Sequence, residues 1–199
     1  MVKQVLAQDD RAPAIGDGGV RASLVSWLGA RAKTQHRLIH EFWVPLSHER
    51  ADVVEVNGLL CGFEIKSARD HLKRLDRQVG AFNRLFDQIT LVADRRHMAF
   101  LSGLPAWWGL LEAQPSREGV ELVLVRTPSP NPKRELAVQI RLLWKSELAG
   151  ALGDIGVTPD RHATRAGMQE QLLQAADHEQ LEAIIRAKLL ARDPATARW

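Results

Sequence analysis

Apolar residues recur at helical spacing in two segments of the first half of the chain. Val20, Leu24 and Leu28 lie four residues apart, which predicts a helix over residues 20–37 after a flexible entry at residues 16–19. The second segment has the stronger pattern, because its apolar positions repeat every three or four residues. These positions are Leu72, Leu75, Val79, Phe82 and Phe86. They leave one buried stripe and predict a helix over residues 69–86.

Short runs of branched and aromatic residues alternate with turn residues and predict a sheet. The predicted strands are residues 40–46, 51–56, 59–66, 88–93, 107–113 and 120–126. Asn57-Gly58 is a strong hairpin signal, so the second and third strands are expected to be antiparallel neighbours. The fourth strand is expected to be parallel to the third, because a whole helix separates them. The last two strands are expected to form a second hairpin.

The C-terminal third of the chain has a helical pattern. Residues 127–133, Thr-Pro-Ser-Pro-Asn-Pro-Lys, lack three amide donors and should be extended. Helical stretches follow at residues 135–151, 160–176 and 179–192, the middle one capped by Asp160 or Thr158. The pattern as a whole predicts an α/β fold in which helices flank a mixed central sheet, with an all-helical C-terminal extension. We therefore expect a flexible segment over residues 1–18, a core over 19–133 and the extension over 134–199.

Composition narrows the class of protein. Of the 199 residues, 45% are hydrophobic and 26% are charged, as in ordinary globular domains. The single cysteine, Cys61, excludes an internal disulfide and any multi-cysteine metal site, and it favours a reducing compartment such as the cytoplasm. No signal-peptide pattern and no long apolar run are found, so no membrane association is expected. The net charge of +3 permits a nucleic-acid partner without establishing one.

Three ionisable residues converge on the first hairpin. Glu64 and Lys66 share one face of the third strand, and the register of the hairpin decides whether Asp52 joins them. A two-residue loop would pair Asp52 with Phe63, whereas a three-residue loop over 57–59 places it opposite Glu64. We expect the three-residue loop. Two adjacent carboxylates repel each other and raise one pKa unless a divalent cation lies between them, and oxygen ligands suit Mg²⁺ or Mn²⁺.

An exposed ladder of cross-strand ion pairs is the alternative interpretation of Asp52, Glu64 and Lys66. Burial is favoured by the apolar residues that flank them in the sequence, such as Val53 and Ile65. Buried charges need a partner or an ion. The pattern therefore favours a metal site over a surface ladder.

The same residues carry a resemblance to a known family. Asp52, an eleven-residue gap and Glu64-Ile65-Lys66, followed by Gln78 four residues before Phe82, resemble the motif of the PD-(D/E)XK nuclease superfamily. Further segments, among them the helix of Arg74-Leu75 and Gln78, are similar to a branch of small bacterial proteins in that superfamily. The similarity extends over about residues 41–150, and more loosely to the end of the chain. The other segments are Arg50-Ala51-Asp52, Gly62-Phe63-Glu64-Ile65-Lys66-Ser67, Leu91-Val92, Trp107-Trp108-Gly109 and Leu142-Leu143-Trp144-Lys145.

The resemblance implies a restriction-endonuclease-like core that hydrolyses phosphodiester bonds of DNA. Asp52, Glu64 and the main-chain carbonyl of Ile65 would hold Mg²⁺ or Mn²⁺. Lys66 would orient or deprotonate the attacking water and stabilise the developing charge, and Gln78 would position water or phosphate. Many relatives also carry an acidic residue on the first helix.

The predicted first helix, residues 20–37, contains no acidic residue. Glu41 is the candidate for that role, with a capping or surface carboxylate as the alternative.

Substrate contacts and function have alternatives too. Arg69, Lys73, Arg77 and Arg84 could follow a DNA backbone along the second helix, or they could belong to a solvated, salt-bridged face. Trp107 and Trp108 could stack on a base, but packing in the core is favoured. A nuclease-like fold that binds nucleic acid or a protein partner without cutting is the alternative function. The sequence leaves open whether the DNA is single- or double-stranded and whether the chain forms a homodimer.

Overall fold

The computed structural model describes residues 15–32, 35–159 and 162–193. Most of the predicted flexible segment, residues 1–14, lies outside the described residues. A six-stranded mixed sheet is flanked by helices, and further helices follow it in the chain. The α/β fold class expected from the sequence is confirmed.

The strands follow one another through the sheet in chain order. They are β1 (Arg37–Trp43), β2 (Arg50–Val56), β3 (Leu60–Lys66), β4 (Gln88–Asp94), β5 (Gly109–Ser116) and β6 (Gly119–Arg126). Strands β3, β4 and β5 are parallel, and the pairs β1–β2, β2–β3 and β5–β6 are antiparallel. Both predicted hairpins and the predicted parallel pairing of β3 with β4 are confirmed.

Helices cover both faces of this sheet. They are α1 (Asp17–Arg31), α2 (Leu75–Leu85), α3 (Leu136–Gln139), α4 (Lys145–Asp154), α5 (Arg165–Ala175) and α6 (His178–Ala191). Helix α1 buries Val20, Leu24 and Leu28 against one face, together with Phe63 and Ile65 of β3. The larger core lies on the other face, where α2 and the C-terminal helices share apolar residues with the sheet. Among the described residues, no helix combines the length and apolar character of a membrane span.

The first two helices do not begin where the sequence pattern places them. Helix α1 begins at Asp17, so the prediction of a flexible entry at residues 16–19 is wrong from Asp17 onward. Its glycines have low helix propensity, but buried Val20 and Leu24 fix this turn on the sheet. Helix α2 begins at Leu75, after a 3₁₀ turn at Leu72–Arg74, rather than at residue 69. The chain before it forms a turn in which the Asp70 carboxylate accepts hydrogen bonds from Ser67.

The C-terminal helices also differ in extent from their predictions. The helix expected over residues 135–151 is broken by a 3₁₀ turn at Ile140–Leu142. A new helix, α4, follows, and Trp144 caps it by donating its amide to the Glu147 carboxylate at 2.7 Å. Helix α5 is capped by Thr164, which accepts from the amide of Gly167 at 3.1 Å, rather than by Thr158; Asp160 lies outside the described residues.

Candidate functional site

The β2–β3 hairpin has the expected three-residue loop. Val56 pairs with Leu60 around residues 57–59, and the ladder continues to Val53 and Phe63. Asp52 and Glu64 are the next residues along β2 and β3, just beyond the last pair of the ladder, and the charge of Asp52 is close enough to raise the pKa of Glu64. There the Oδ2 atom of Asp52 accepts the amide of Ile65 at 2.7 Å. The carboxylate of Asp52 thus lies against the main chain of β3 beside Ile65.

Glu64 and Lys66 form a buried cluster with Gln78 of α2. The Nζ atom of Lys66 donates to Oε1 of Glu64 at 2.5 Å and to Oε1 of Gln78 at 3.1 Å. The Nε2 atom of Gln78 donates to the same Oε1 of Glu64 at 2.6 Å. Glu64 and Lys66 are 3% and 4% exposed. Gln78, which the resemblance assigns to positioning water or phosphate, contacts both ionisable residues.

The second carboxylate oxygen of Glu64 has a different environment. Its Oε2 atom is buried and has no hydrogen-bond partner. Burial, and then the charge of Asp52, raise the pKa of Glu64 to about 7, although Lys66 and Gln78 oppose the shift. A buried carboxylate with one unsatisfied oxygen is costly unless a proton or a cation neutralises it.

Arg21 of α1 is a charged partner of Asp52 that the sequence pattern did not indicate. Its Nη2 atom lies 3.0 Å from Oδ1 of Asp52 and 2.8 Å from Oε1 of Glu41, and its Nη1 donates to the carbonyl of Asp52 at 2.6 Å. Burial raises the pKa of Asp52, while the Ile65 amide and Arg21 lower it in part. Burial alone would lower the pKa of Arg21, but the charges of Asp52, Asp17 and Glu41 outweigh it and raise that pKa.

Asp17 is an acidic residue on the first helix and lies outside the bounds, residues 20–37, that the sequence pattern predicts for it. It is the first residue of α1 and lies 3.4 Å from Arg21. The sequence would have indicated Asp17 only if the helix had been predicted to start there. Three of residues 16–19 are glycine, which favours a flexible segment over a helix. Glu41, the candidate for the acidic residue that many relatives carry on the first helix, joins the same cluster. It pairs with Arg21 at 2.8 Å and with Arg50 at 2.7 Å.

Glu41 also has unusual backbone geometry. Its φ is 56°, in the left-handed region that non-glycine residues rarely adopt. Such conformations persist where the surrounding structure holds them, and they are concentrated at functional sites. Here the two ion pairs, with Arg21 and Arg50, hold the side chain.

The prediction that four cations lie along the second helix is wrong, because two of them lie outside that helix. Arg69 precedes α2 and Lys73 lies in the 3₁₀ turn, so the four residues do not share one helix. Arg77 pairs with Glu49 at 3.2 Å, and Arg84 forms a two-pronged pair with Glu135 at 2.7 and 2.9 Å. Contact of these cations with DNA stays a prediction, best directed at Arg69 and Lys73, which are exposed.

The tryptophan pair packs in the core, as expected, and the cysteine is buried as well. Trp108 is fully buried, and Trp107 and Trp108 both donate to Oδ1 of Asn83, at 3.0 and 2.8 Å. Cys61 is buried, and burial raises the pKa of its thiol to about 12. A thiol with so high a pKa is a poor nucleophile at neutral pH.

The residues at the ends of β2 and β3 suit the divalent cation that the resemblance implies. The donors would be the carboxylates of Asp52 and Glu64 and the carbonyl of Ile65, all hard oxygens of the kind Mg²⁺ prefers. Oε2 of Glu64 is the buried atom that such a cation would satisfy. Among the described residues, no group of three or more histidine, cysteine, aspartate or glutamate side chains offers a metal site.

Comparison with known proteins adds relatives of this chain. Residues 17–194 match the family described as Bacteriophage P4 protein cII. Protein cII of Enterobacteria phage P4 is 30% identical over 141 residues, which are 70% of this chain and 53% of that protein, so the chain spans about half the length of this curated relative. A solved structure of a protein of unknown function from Silicibacter pomeroyi has 20% identity and a TM-score of 0.41, over 90% of this chain and 92% of that one.

Proposed function

The chain belongs to the bacteriophage P4 protein cII family, and we propose that it is a metal-dependent PD-(D/E)XK nuclease that hydrolyses phosphodiester bonds of DNA. One observation carries the proposal. Glu64 is buried with one oxygen held by Lys66 and Gln78 and the other unpartnered, and Asp52 lies just beyond the hairpin ladder, close enough for its charge to raise the pKa of Glu64. This combination favours a cation site over an exposed ion-pair ladder.

Each side chain has a role that its contacts support. Asp52, Glu64 and the carbonyl of Ile65 would hold Mg²⁺ or Mn²⁺, which when bound activates water and neutralises phosphate charge. Lys66, held between Glu64 and Gln78, would orient the attacking water or, as the neutral amine, accept its proton; as the ammonium it would stabilise charge on the phosphoryl oxygens. Gln78 fixes Oε1 of Glu64 and the Lys66 ammonium in place. Glu41 and Asp17 act through Arg21, which positions Asp52.

The place of action is part of the same proposal. A single, buried cysteine fits a reducing compartment such as the cytoplasm.

Cleavage of DNA tests the proposal directly. The parent and the variants Asp52→Ala, Glu64→Ala and Lys66→Ala are incubated with plasmid and single-stranded DNA in Mg²⁺ or Mn²⁺. We expect each variant to cleave at least about 100-fold more slowly, because each removes a metal ligand or a group that stabilises the transition state. Glu121→Gln, on the exposed part of β6, is the control and should retain parental activity. Activity that survives all three site substitutions contradicts the proposal.

A nuclease-like fold that binds nucleic acid or a protein without cutting is the second candidate. The contact between Arg21 and Asp52 favours it, because the guanidinium already supplies positive charge where a cation would bind. Manganese binding followed by electron paramagnetic resonance separates the two functions. The nuclease should bind Mn²⁺ and lose most of that binding in Glu64→Gln. The non-cutting protein should bind none, although it would still shift the mobility of DNA in a salt-dependent way.

A further inference from the structure

Two large aromatic side chains are exposed at the end of the sheet that holds the candidate site. Trp43 is 54% exposed and Phe100 is 72% exposed. Trp43 is the last residue of β1, and Phe100 ends the 3₁₀ segment Arg95–Phe100 that follows β4. Both rings are therefore accessible to a ligand that approaches this end of the sheet.

Trp43 is linked to the site through β2. It pairs with Arg50 in the sheet register, two residues before Asp52. The guanidinium of Arg50 lies over the Trp43 ring at 5.7 Å and forms an ion pair with Glu41 at 2.7 Å. Glu41 in turn shares Arg21 with Asp52. The ring therefore borders the Asp52 side of the site.

Phe100 is linked to the site through β3. The Nε2 atom of His97 lies 2.8 Å from the carbonyl of Ser67, the residue that follows Lys66. Phe100 comes three residues later, one turn of the 3₁₀ helix, or about 6 Å of rise. The segment is anchored next by Leu101, which is buried. Phe100 therefore borders the Lys66 side.

The two rings stand on either side of the catalytic candidates. Trp43 belongs to β1 and Phe100 follows β4, with β2 and β3 between them. Three strand spacings separate β1 from β4 by about 14 Å, enough for a few nucleotides. Arg69 and Lys73 are exposed near this end of the sheet and supply positive charge for phosphates, and so does the exposed Arg95, which also pairs with Glu112 at 3.8 Å.

We propose that Trp43 and Phe100 stack on unpaired bases, so that the substrate class is single-stranded DNA or a splayed duplex end crossing the site. In a duplex each base is already stacked on its neighbours and offers only its edge, whereas an unpaired base offers a whole face to an aromatic ring. This inference rests on the proposed function, because it names the substrate of the same site.

Binding measured without cleavage tests the inference. Fluorescence anisotropy of labelled oligo-dT and of a blunt duplex is followed in EDTA, so that no hydrolysis occurs. We expect Phe100→Ala and Trp43→Ala each to weaken oligo-dT binding about tenfold and to change duplex binding less than about twofold. Phe100→Tyr and Trp43→Phe should retain affinity, which separates lost stacking from lost folding. Leu124→Ala, exposed on β6 away from these rings, is the control and should leave oligo-dT affinity unchanged.

Two results overturn the inference. One is parental affinity for oligo-dT in both alanine variants, and the other is an equal loss of duplex affinity. The nuclease proposal fails separately, if the parent cleaves no DNA in Mg²⁺ or Mn²⁺. Stacking in EDTA without cleavage would leave a single-strand-binding surface on a non-cutting protein, and cleavage without any effect of the two rings would leave a nuclease that holds its substrate by charge.

Discussion

One buried carboxylate, that of Glu64, dominates the electrostatics of the candidate site. Burial removes water from both its oxygens, while hydrogen bonds from Lys66 and Gln78 reach only Oε1. The neighbouring charge of Asp52 adds repulsion, so the pKa of Glu64 rises to about 7. Near neutral pH the group is therefore poised between its protonated and its ionised form.

The raised pKa of Glu64 predicts how stability depends on pH. The folded-state pKa, about 7, exceeds the ordinary value of 4.5, so the contribution of Glu64 is fully present below pH 4.5 and is lost as pH rises through 7. The loss amounts to about 3 kcal/mol by pH 8. We expect Glu64→Gln, which cannot titrate, to remove this loss. Urea unfolding of both proteins in EDTA at pH 5 and pH 8 measures the difference.

Magnesium supplies a further arm of the same experiment. At pH 8, Mg²⁺ should raise the free energy of unfolding of the parent, since a ligand of the native state stabilises it, and should leave Glu64→Gln almost unchanged. Parallel pH profiles for parent and variant would contradict a raised pKa at Glu64.

At the scale of single residues, sequence reasoning reached the motif but not all of its partners. Asp52, Glu64 and Lys66 were accessible because strand alternation and loop length fix their register. Arg21 was not, because its contact with Asp52 joins residues 31 positions apart, through a helix whose packing on the sheet no local pattern encodes. The unpartnered Oε2 of Glu64 likewise depends on the placement of α2.

Among the elements, β3 and α2 depend on one close approach. Gly62 of β3 lies directly beneath the ring of Phe86, the residue that ends α2. A Cβ atom at position 62 would lie 2.5 Å from that ring. Because Gln78 lies on α2, this contact fixes the distance between the helix and Glu64 on β3.

We expect Gly62→Ala to destabilise the fold by about 1–3 kcal/mol, because the ring of Phe86 is buried and cannot move aside freely. Gly80→Ala is the matched control, since position 80 lies inside α2 with no atom within 4 Å of its added Cβ. Alanine there should stabilise the protein by about 0.5–1 kcal/mol through helix propensity. Urea unfolding measures both variants, and a neutral Gly62→Ala would show that β3 and α2 are not tightly packed.

Sequence patterns located the elements better than their ends. The β2–β3 hairpin was predictable because Asn57-Gly58 and strand alternation act within a few residues. The predicted bounds of helix α1, residues 20–37, begin three residues late and end six residues late. The start is missed because glycine propensity opposes a helix that packing on the sheet imposes. The start of α2 was placed too early, because the apolar stripe includes Leu72 while the Ser67–Asp70 turn holds the chain outside the helix.

For the whole molecule, the carboxylate of Asp87 joins the sheet to the C-terminal helices. Asp87 lies just before β4, and its carboxylate accepts a hydrogen bond from the amide of Leu60 at 2.6 Å. Arg134 and Arg186 reach it at 2.6 and 3.0 Å, and Gln139 of α3 donates to it at 3.1 Å. The C-terminal helices thus share both this network and the larger apolar core with the sheet.

The same network has a pH dependence opposite to that of Glu64. Burial raises the pKa of Asp87, but the Leu60 amide, Arg134, Arg186 and Gln139 together bring it below its ordinary value. A group with a lowered folded-state pKa stabilises above its unfolded pKa and loses that contribution as pH falls. The stabilisation by Asp87 is therefore complete at neutral pH and is lost in acid.

Asp87→Asn tests whether this network fastens the helices to the sheet. The change replaces one of two carboxylates that Arg134 and Arg186 contact, since Glu182 still pairs with both. We therefore expect a cost of about 1–3 kcal/mol at pH 7, the usual penalty for a buried polar group that loses a partner. The exposed pair of Arg84 with Glu135 is the control, and Arg84→Gln should change the free energy of unfolding little, since water screens that pair. Urea unfolding gives the cost, and hydrogen exchange gives its location. If Asp87 joins the two parts, amides of α6 and β4 lose protection together; loss confined to α6 would mean that the helices are held by apolar packing alone.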